Sequence, residues 1–172
     1  MDYSYLSLFP VVAASFISTN IDNLVILTVL KSSRPGGRIF TSAGYLLACA
    51  IVVSMALLVA LAGGSLDGKY VGFLGIVPAV IGLRSLLARW RNPEDEAPEE
   101  RTFDSAASAV VGTGLLMLGN SGDSLALLLP LFLDTHPEYY PFLVLCYAVF
   151  ATLWLLIANR ITASIDSGPF LR

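Results

Sequence analysis

Residues 5–30 read YLSLFPVVAASFISTNIDNLVILTVL, an apolar run with one polar cluster at Asn20-Ile21-Asp22-Asn23. Such a run exceeds the roughly 20 residues that a helix needs to cross a bilayer, whereas buried helices of soluble proteins are shorter. An ionisable group in the hydrocarbon region costs about 2.5 to 3.5 kcal/mol on insertion scales, so it is expected to have a function. The stretch therefore predicts a membrane span that carries a functional aspartate.

The rest of the chain repeats this apolar character. Of its 172 residues, 56% are hydrophobic and 13% are charged, which is too apolar for an ordinary soluble domain of this length. Four more long apolar runs follow, at 40–62, 71–88, 105–133 and 140–158. We therefore predict an all-α membrane protein with about five transmembrane helices, which is surrounded by the lipid bilayer and has no nucleic-acid partner.

The first apolar run is not typical of a secretory signal. It follows Met1-Asp2-Tyr3 where a signal would have a basic segment, and it is longer than the apolar region of a signal. We expect it to be a helix of the mature protein.

Basic residues indicate how the chain is oriented in the membrane. Nine of the ten Lys and Arg residues follow the first run, lie around the connection between the third and fourth runs, or follow the fifth: Lys31, Arg34, Arg38, Arg84, Arg89, Arg91, Arg101, Arg160 and Arg172. Only Lys69 would lie on the other side. Because basic flanking loops stay in the cytoplasm, we predict an outside N-terminus and a cytoplasmic C-terminus.

A second polar cluster, Asn120-Ser121-Gly122-Asp123, interrupts the fourth run. An acidic hydrophilic segment at 90–104 divides the chain into a first repeat at 1–89 and a second repeat at 105–172. The first and fourth spans would run in opposite directions with their aspartates at equivalent places, as in an inverted repeat of the 3+3 type. The second repeat has two helices and a short tail, so the last helix of this pattern is missing.

The two clusters contain the side chains expected at a site for a divalent cation. Carboxylate, amide and hydroxyl oxygens are hard ligands, and two aspartates would neutralise a doubly charged ion inside the bilayer. The predicted ligands are Asp22, Asp123, Asn20, Asn23, Asn120, Ser121 and Ser124. Adjacent side chains on a helix point about 100° apart, so if Asn20, Asp22 and Asn23 bind one ion together, we expect the first helix to unwind locally at Asn20 to Asn23. Glycines around the second cluster would permit either a close helix approach or a helix break there.

Cys49 and Cys146 fall inside the second and fifth apolar runs, which correspond to each other in the two repeats. Thiol ligands favour thiophilic metals such as cadmium or zinc. A buried cysteine can equally act as a small apolar side chain. The sequence leaves both interpretations open.

Three motifs together resemble the cadmium-resistance (Cad) transporter family of the LysE superfamily. Thr19-Asn20-Ile21-Asp22-Asn23 is the first, and Gly75-Ile76-Val77-Pro78-Ala79-Val80-Ile81-Gly82-Leu83-Arg84 is the second. The third is Gly119-Asn120-Ser121-Gly122-Asp123-Ser124, followed by Leu129-Pro130-Leu131-Phe132. They come in the order of the family and span most of the chain.

The resemblance implies a multi-helix exporter of cadmium and related divalent cations, with the aspartate motifs of both repeats at the transport site. This chain has Ser121 and Ser124 where family members tend to carry Gly and Asn, although both serines retain oxygen ligands. The family usually continues into a further C-terminal helix. Its absence fits either a truncated chain or completion by a homodimer.

We therefore predict secondary export of a divalent cation such as Cd²⁺ or Zn²⁺ across a bacterial plasma membrane, without a resident cofactor and without enzymatic activity. The chain has no nucleotide-binding Walker motif, so an ion gradient would drive transport. Three alternatives remain. The chain could export amino acids or other small solutes, cleave peptides as an intramembrane aspartyl protease, or use its aspartates only for assembly. The protease motif Gly-x-Gly-Asp would need Gly at the position of Asn120.

Overall fold

The computed structural model of the protein describes residues 5–33, 35–63 and 105–166. Five helices and two short 3-10 turns make up this part of the chain, and none of the described residues forms a strand. The helices are α1 (Tyr5–Ser33), α2 (Arg38–Gly63), α3 (Ala106–Gly119), α4 (Gly122–Asp134) and α5 (Tyr140–Asp166), with the 3-10 turns at Pro35–Gly37 and Pro137–Tyr139.

The helix lengths confirm an all-α membrane protein. Three described helices, α1, α2 and α5, are long and apolar enough to cross a membrane, and α3 with α4 forms a bent pair that passes the same test. The predicted third span at 71–88 lies outside the described residues, as does the segment 90–104. The fifth helix continues past its predicted end at 158 and runs to Asp166.

The distribution of polar and apolar side chains in α1 is the reverse of that in a soluble protein. Asn20 and Asn23 are 1% and 2% exposed, whereas Ile21 and Val25 are 52% and 58% exposed. Apolar side chains can face hydrocarbon without cost, while amides there need hydrogen-bond partners inside the protein. The two amides are therefore packed inside the bundle together with apolar side chains such as Phe16 and Leu27, while many other apolar side chains face outward, as expected in a bilayer.

Ring and polar contacts between α1 and α5 define the two ends of the bundle. Tyr5 packs edge-on against Phe142 with ring centroids 5.1 Å apart, and Phe16 packs against Trp154 at 5.5 Å. At the other end of α1, Lys31 Nζ donates a hydrogen bond to Asn159 Oδ1. The two helices are therefore parallel. We call the two ends of the bundle the Tyr5 end and the Lys31 end.

The pair α3 and α4 runs from the Lys31 end to the Tyr5 end, opposite to α1. Gly44, near the beginning of α2, lies against Val110 in the first half of α3. Phe132 at the end of α4 packs against Tyr140, with ring centroids 5.3 Å apart, close to where Tyr5 meets α5. This antiparallel relation agrees with an inverted repeat, and the division into repeats itself stays a prediction.

Lys31 is buried, although it comes directly after the end of the predicted first span. It is 1% exposed, and its ammonium group lies between α1 and α5 against the Asn159 amide. The flanking helices extend beyond the predicted ends of the spans, so they enclose this side chain. The aliphatic part of the lysine is accordingly packed inside the bundle.

Replacing Asn159 with leucine should therefore lower the free energy of unfolding by about 1 to 3 kcal/mol, because it leaves a buried ammonium group without its acceptor. The double variant Lys31→Met/Asn159→Leu should recover most of this loss, since both positions are then apolar. Thermal unfolding in detergent measures both effects. Equal losses in the single and double variants would contradict the interaction.

Candidate metal site at a helix break

The chain bends by 66° between α3 and α4. Asn120 caps α3 with its backbone N–H directed at Leu116 O and Leu118 O, and the backbone N–H of Ser121 also donates to Leu118 O at 3.1 Å. The new helix begins when Leu125 N donates to Ser121 O at 3.0 Å. Gly119 and Gly122 flank Asn120 and Ser121, although a Cβ at either glycine would meet nothing within 4 Å and neither has a positive φ. The predicted break is therefore present, at the second polar cluster.

A chain of amide hydrogen bonds connects this break to α1. Asn120 Nδ2 donates to Asn23 Oδ1 at 3.0 Å, and Asn23 Nδ2 donates to Asn20 Oδ1 at 3.1 Å. Asn20 Nδ2 then donates to Phe16 O and Thr19 Oγ1, both at 3.0 Å. Each amide donates its hydrogen bond in the direction of the N-terminal end of α1. The structure therefore brings together the two polar clusters, which are a hundred residues apart in sequence.

Replacing Asn23 with leucine, which has a similar volume, should break this chain at its centre. Asn120 Nδ2 and Asn20 Oδ1 would lose their partners, and we expect the free energy of unfolding to fall by about 1 to 2 kcal/mol. Transport activity should fall by roughly tenfold or more, because the break is no longer held against α1. Thermal unfolding and flux into liposomes measure the two effects.

Thr28→Val is the matched control for Asn23→Leu. The Thr28 hydroxyl donates only to Leu24 O of its own helix, at 2.8 Å. It lies in α1 as Asn23 does, but it takes no part in the chain of amides. A similar loss of transport in both variants would mean that α1 tolerates no polar deletion, and would remove the special role of Asn23.

The expected unwinding of α1 at its polar cluster is wrong, because α1 is continuous from Tyr5 to Ser33. The Asn20 and Asn23 side chains bond within one helical face, so they need no opening of the backbone. The Asn20 carbonyl oxygen is additionally the acceptor for Trp154 Nε1 at 2.7 Å. Only one of the two spans at this site is therefore broken.

The two aspartates lie beside this amide chain, and both are exposed on the surface of the described helices. Asp22 is close enough to Asp123 for the two charges to interact. One Asp123 carboxylate oxygen accepts a hydrogen bond from Ser124 N at 2.7 Å, at the N-terminal end of α4. The two carboxylates are therefore within electrostatic range of each other, and Asp123 is already an acceptor at the beginning of α4.

Asn120 adds a third oxygen donor to this arrangement. Its Nδ2 group is used by Asn23, and among the described residues its amide oxygen accepts no hydrogen bond. The amide oxygens of Asn20 and Asn23 are each already acceptors within the chain. Among the predicted ligands, Asp22, Asp123 and Asn120 therefore have side-chain oxygens that the chain of amides does not use, and Asn23 holds Asn120 against α1.

The two serines differ in their surroundings. Ser121 Oγ donates to Met117 O at 2.6 Å, which satisfies the hydroxyl within its own turn. Ser124 is 1% exposed, and its hydroxyl is enclosed between helices. It lies beside the Tyr147 phenol of α5. The function of each predicted ligand in binding metal stays a prediction.

Two aromatic residues of α5 belong to the site and were not predicted from sequence. Tyr147 is 4% exposed and lies next to Asn20 and Ser124, and Trp154 donates to the backbone of Asn20. Both side chains combine a large apolar ring with a polar group, and both occur near the middle of a span. Tyr and Trp are usually enriched at the membrane interfaces. Their position away from the ends of a predicted span was therefore the sequence signal that could have pointed to a function for these two residues.

No three histidine, cysteine, aspartate or glutamate side chains cluster within residues 5–33, 35–63 and 105–166. The charged part of the candidate site consists of two carboxylates, completed by amide and hydroxyl groups.

Comparison with known proteins identifies one family. No curated protein and no solved structure matches the chain significantly. The model of the cadmium resistance transporter family, Cad, matches residues 16–168, which include both aspartate clusters. Since this match covers most of the chain, the protein belongs to the cadmium resistance transporter family.

Proposed function

We propose that this protein exports Cd²⁺, or a related divalent cation, through a site formed by Asp22 and Asp123. The observation that carries the proposal is the hydrogen bond from Asn120 Nδ2 to Asn23 Oδ1. It joins the aspartate cluster of a continuous span to the aspartate cluster of a broken span. Membership of a family of cadmium resistance transporters supports the same substrate class.

The charges of the site fit a doubly charged ion. A lone charge within a span costs about 2.5 to 3.5 kcal/mol on insertion scales, and two neighbouring carboxylates repel each other. A divalent cation between them makes the group neutral overall. The metal therefore removes an electrostatic cost that the empty site carries, and this supports binding at a depth where water is scarce.

The helix break supplies the irregular backbone that transport sites in membranes commonly use. Discontinuous helices let backbone groups and helix ends face a bound ion near the middle of the bilayer. Here the break lies in the span that runs opposite to α1, and Asp123 is in the first turn of α4. A change in the 66° bend would move Asp123 relative to Asp22, which is one way to release the ion.

Energy for export would come from an ion gradient. Protons exchanging on the same two carboxylates would couple metal release to proton entry, since protonation removes the charge that holds the cation. The protein would lie in a bacterial plasma membrane, with the Tyr5 end outside and the Lys31 end in the cytoplasm. A homodimer remains a further proposal, and we expect neither a resident cofactor nor catalytic activity.

Flux in liposomes tests this proposal. The purified full chain is reconstituted, and entry of Cd²⁺, Zn²⁺, Mn²⁺, Ca²⁺ and lysine is followed with and without a pH gradient. We expect Cd²⁺ flux above that of protein-free liposomes, and faster flux when protons can move in the opposite direction. Lysine flux without metal flux would favour an amino-acid exporter, and cleavage of a membrane peptide would favour a protease; either result would overturn the proposal.

A further inference from the structure

Helix α5 presents three aromatic side chains to one turn of α1. Tyr147, Phe150 and Trp154 are spaced three and four residues apart, so they share one face of α5. The Phe16 ring of α1 lies among them, with ring centroids between 4.9 and 5.7 Å away. Phe16 is 1% exposed, so these contacts form a buried connection between the two helices.

Trp154 adds a polar contact to this ring packing. Its Nε1 donates to the Asn20 carbonyl oxygen at 2.7 Å. In a continuous helix that oxygen also accepts the backbone N–H four residues later, so the indole supplies a second hydrogen bond. A carbonyl oxygen can accept two donors, and this second donor approaches from the side of α5. The contact therefore fixes which side of the Asn20 turn faces α5.

The Asn20 side chain extends this contact to the helix break. Asn20 Oδ1 accepts from Asn23 Nδ2, and Asn23 Oδ1 accepts from Asn120 Nδ2. Trp154 is therefore connected to the break through two residues of α1. Asp22 lies between these two residues in sequence, and successive side chains of a helix differ by about 100° in direction. The rotation of α1 that Trp154 holds therefore also fixes the direction of Asp22.

The apolar side chains of α1 do not fix this rotation by themselves. Ile21 and Val25 are more than half exposed while Leu27 is fully buried, and an apolar side chain can face either lipid or protein. Without a hydrophobic driving force between helices in a bilayer, packing and interhelical hydrogen bonds decide how they fit together. The hydrogen bond from Trp154 to Asn20 is of this kind, and it lies two residues from Asp22.

The same face of α5 also reaches the broken span. Tyr147 lies next to Ser124, whose backbone N–H donates to the Asp123 carboxylate at 2.7 Å. Asp123 is thus held by the first turn of α4 and does not depend on the indole. Loss of the indole N–H should therefore move Asp22 while Asp123 stays in place.

We propose that Trp154 is a positioning residue of the divalent-cation site, which holds α1 by the Asn20 carbonyl oxygen and so directs Asp22 toward Asp123. This inference deepens the proposed function and rests on it for the identity of the ligand. The indole nitrogen is a donor only, so Trp154 does not bind the cation itself. It acts through the backbone of α1.

Cross-linking between the two aspartate positions tests this role without metal. Both native cysteines are first replaced by serine in the full chain, and Asp22→Cys/Asp123→Cys is then added. A short bifunctional thiol reagent is applied to the reconstituted protein. Trp154→Phe keeps a ring against Phe16 but removes the N–H, and we expect it to slow cross-linking at least about fivefold.

Phe9→Leu is the matched control for contact between α1 and α5. The Phe9 ring packs against Phe150, with centroids 5.8 Å apart, and it makes no contact with the Asn20 turn through a polar atom. Its replacement should leave the cross-linking rate within about twofold of the unmodified background. Equal slowing by Phe9→Leu and Trp154→Phe would mean that general packing of the two helices sets the distance, and would overturn the positioning role.

The remaining outcomes separate this role from the proposed export. Equal rates with and without Trp154→Phe would overturn the positioning role, even where the wild type transports Cd²⁺. Slower cross-linking in Trp154→Phe, together with a wild type that transports no divalent cation, would support the positioning role and refute export. Absence of cross-linking in both backgrounds would overturn both the positioning role and the paired site.

The Cd²⁺ concentration dependence of flux gives a second measurement. Trp154→Phe should raise the KM for Cd²⁺ at least about tenfold, because both carboxylates are present but no longer aligned. Maximal flux per folded protein should change by less than about threefold. A lower maximal flux at an unchanged KM would indicate a structural effect alone and would overturn the positioning role.

Discussion

Asp22→Asn and Asp123→Asn should each lower Cd²⁺ flux in liposomes by at least about a hundredfold. Removing one carboxylate leaves a net positive charge when the ion is bound within the span, at a cost of about 2.5 to 3.5 kcal/mol. At 1.4 kcal/mol per tenfold change, this corresponds to roughly a hundredfold weaker binding. Initial rates of metal entry, normalised to the amount of reconstituted protein, measure the effect.

The same two variants should not unfold more easily than the wild type. In the empty protein the two carboxylates repel each other, and an amide in place of either one removes this repulsion. We therefore expect equal or higher thermal stability in detergent without metal. A loss of flux accompanied by a loss of stability would point to a structural role for the aspartates.

Glu138→Gln is the matched control for charge. Glu138 lies in the 3-10 turn before α5, with an exposed side chain near His136. Its removal changes the total charge of the protein by the same amount as the aspartate variants, but away from the helix break. Flux of Glu138→Gln should stay within about twofold of the wild type. A loss as large as that of Asp22→Asn would mean that overall charge, and not the paired site, controls transport.

Composition and apolar run length were sufficient to predict the described long helices. They depend on one requirement, that backbone groups in a bilayer must be hydrogen-bonded within the helix. The meeting of the two polar clusters was also predictable, because a costly intramembrane charge needs a partner. The hydrogen bond from Asn120 to Asn23 is the contact that joins the two clusters.

The finer arrangement of the site was not predictable in this way. Apart from its polar cluster, the sequence of α1 is apolar on every side, so it has no apolar stripe that defines which face turns inward. Helix rotation decides that Asn20 bonds within α1 and that Trp154 reaches its carbonyl oxygen. It also decides that the Ser121 hydroxyl donates a hydrogen bond within its own turn, while Ser124 faces Tyr147. These choices depend on packing between helices that are distant in sequence.

Gly44→Val should have the largest effect on folding. A Cβ at this position would lie 2.6 Å from Val110 O and 2.8 Å from Thr113 Cβ, both in α3. The first of these neighbours is backbone, so it cannot move aside without shifting the helix. Overpacking of this kind costs about 1 to 3 kcal/mol, and a β-branched side chain adds to the clash. We expect a clear drop in the thermal unfolding midpoint and a low yield of folded protein.

Two glycines provide matched controls for this prediction. A Cβ on Gly114 would have Gly44 O as its neighbour at 3.5 Å, an ordinary contact, and a Cβ on Gly36 would meet nothing within 4 Å. Gly114→Ala and Gly36→Ala should therefore unfold close to the wild type. If Gly44→Val were as stable as these two variants, α2 and α3 could not lie as close together as described.

The close approach at Gly44 also affects the metal site. It sets how far α3 extends along the bundle before it breaks, and hence where Asn120 faces Asn23. The milder variant Gly44→Ala, where folded protein is recovered, should push α3 away and weaken that hydrogen bond. Its Cd²⁺ flux should then fall by roughly tenfold or more, because small displacements of binding groups are costly. Normal flux in folded Gly44→Ala protein would separate this helix contact from the positioning of the aspartate pair.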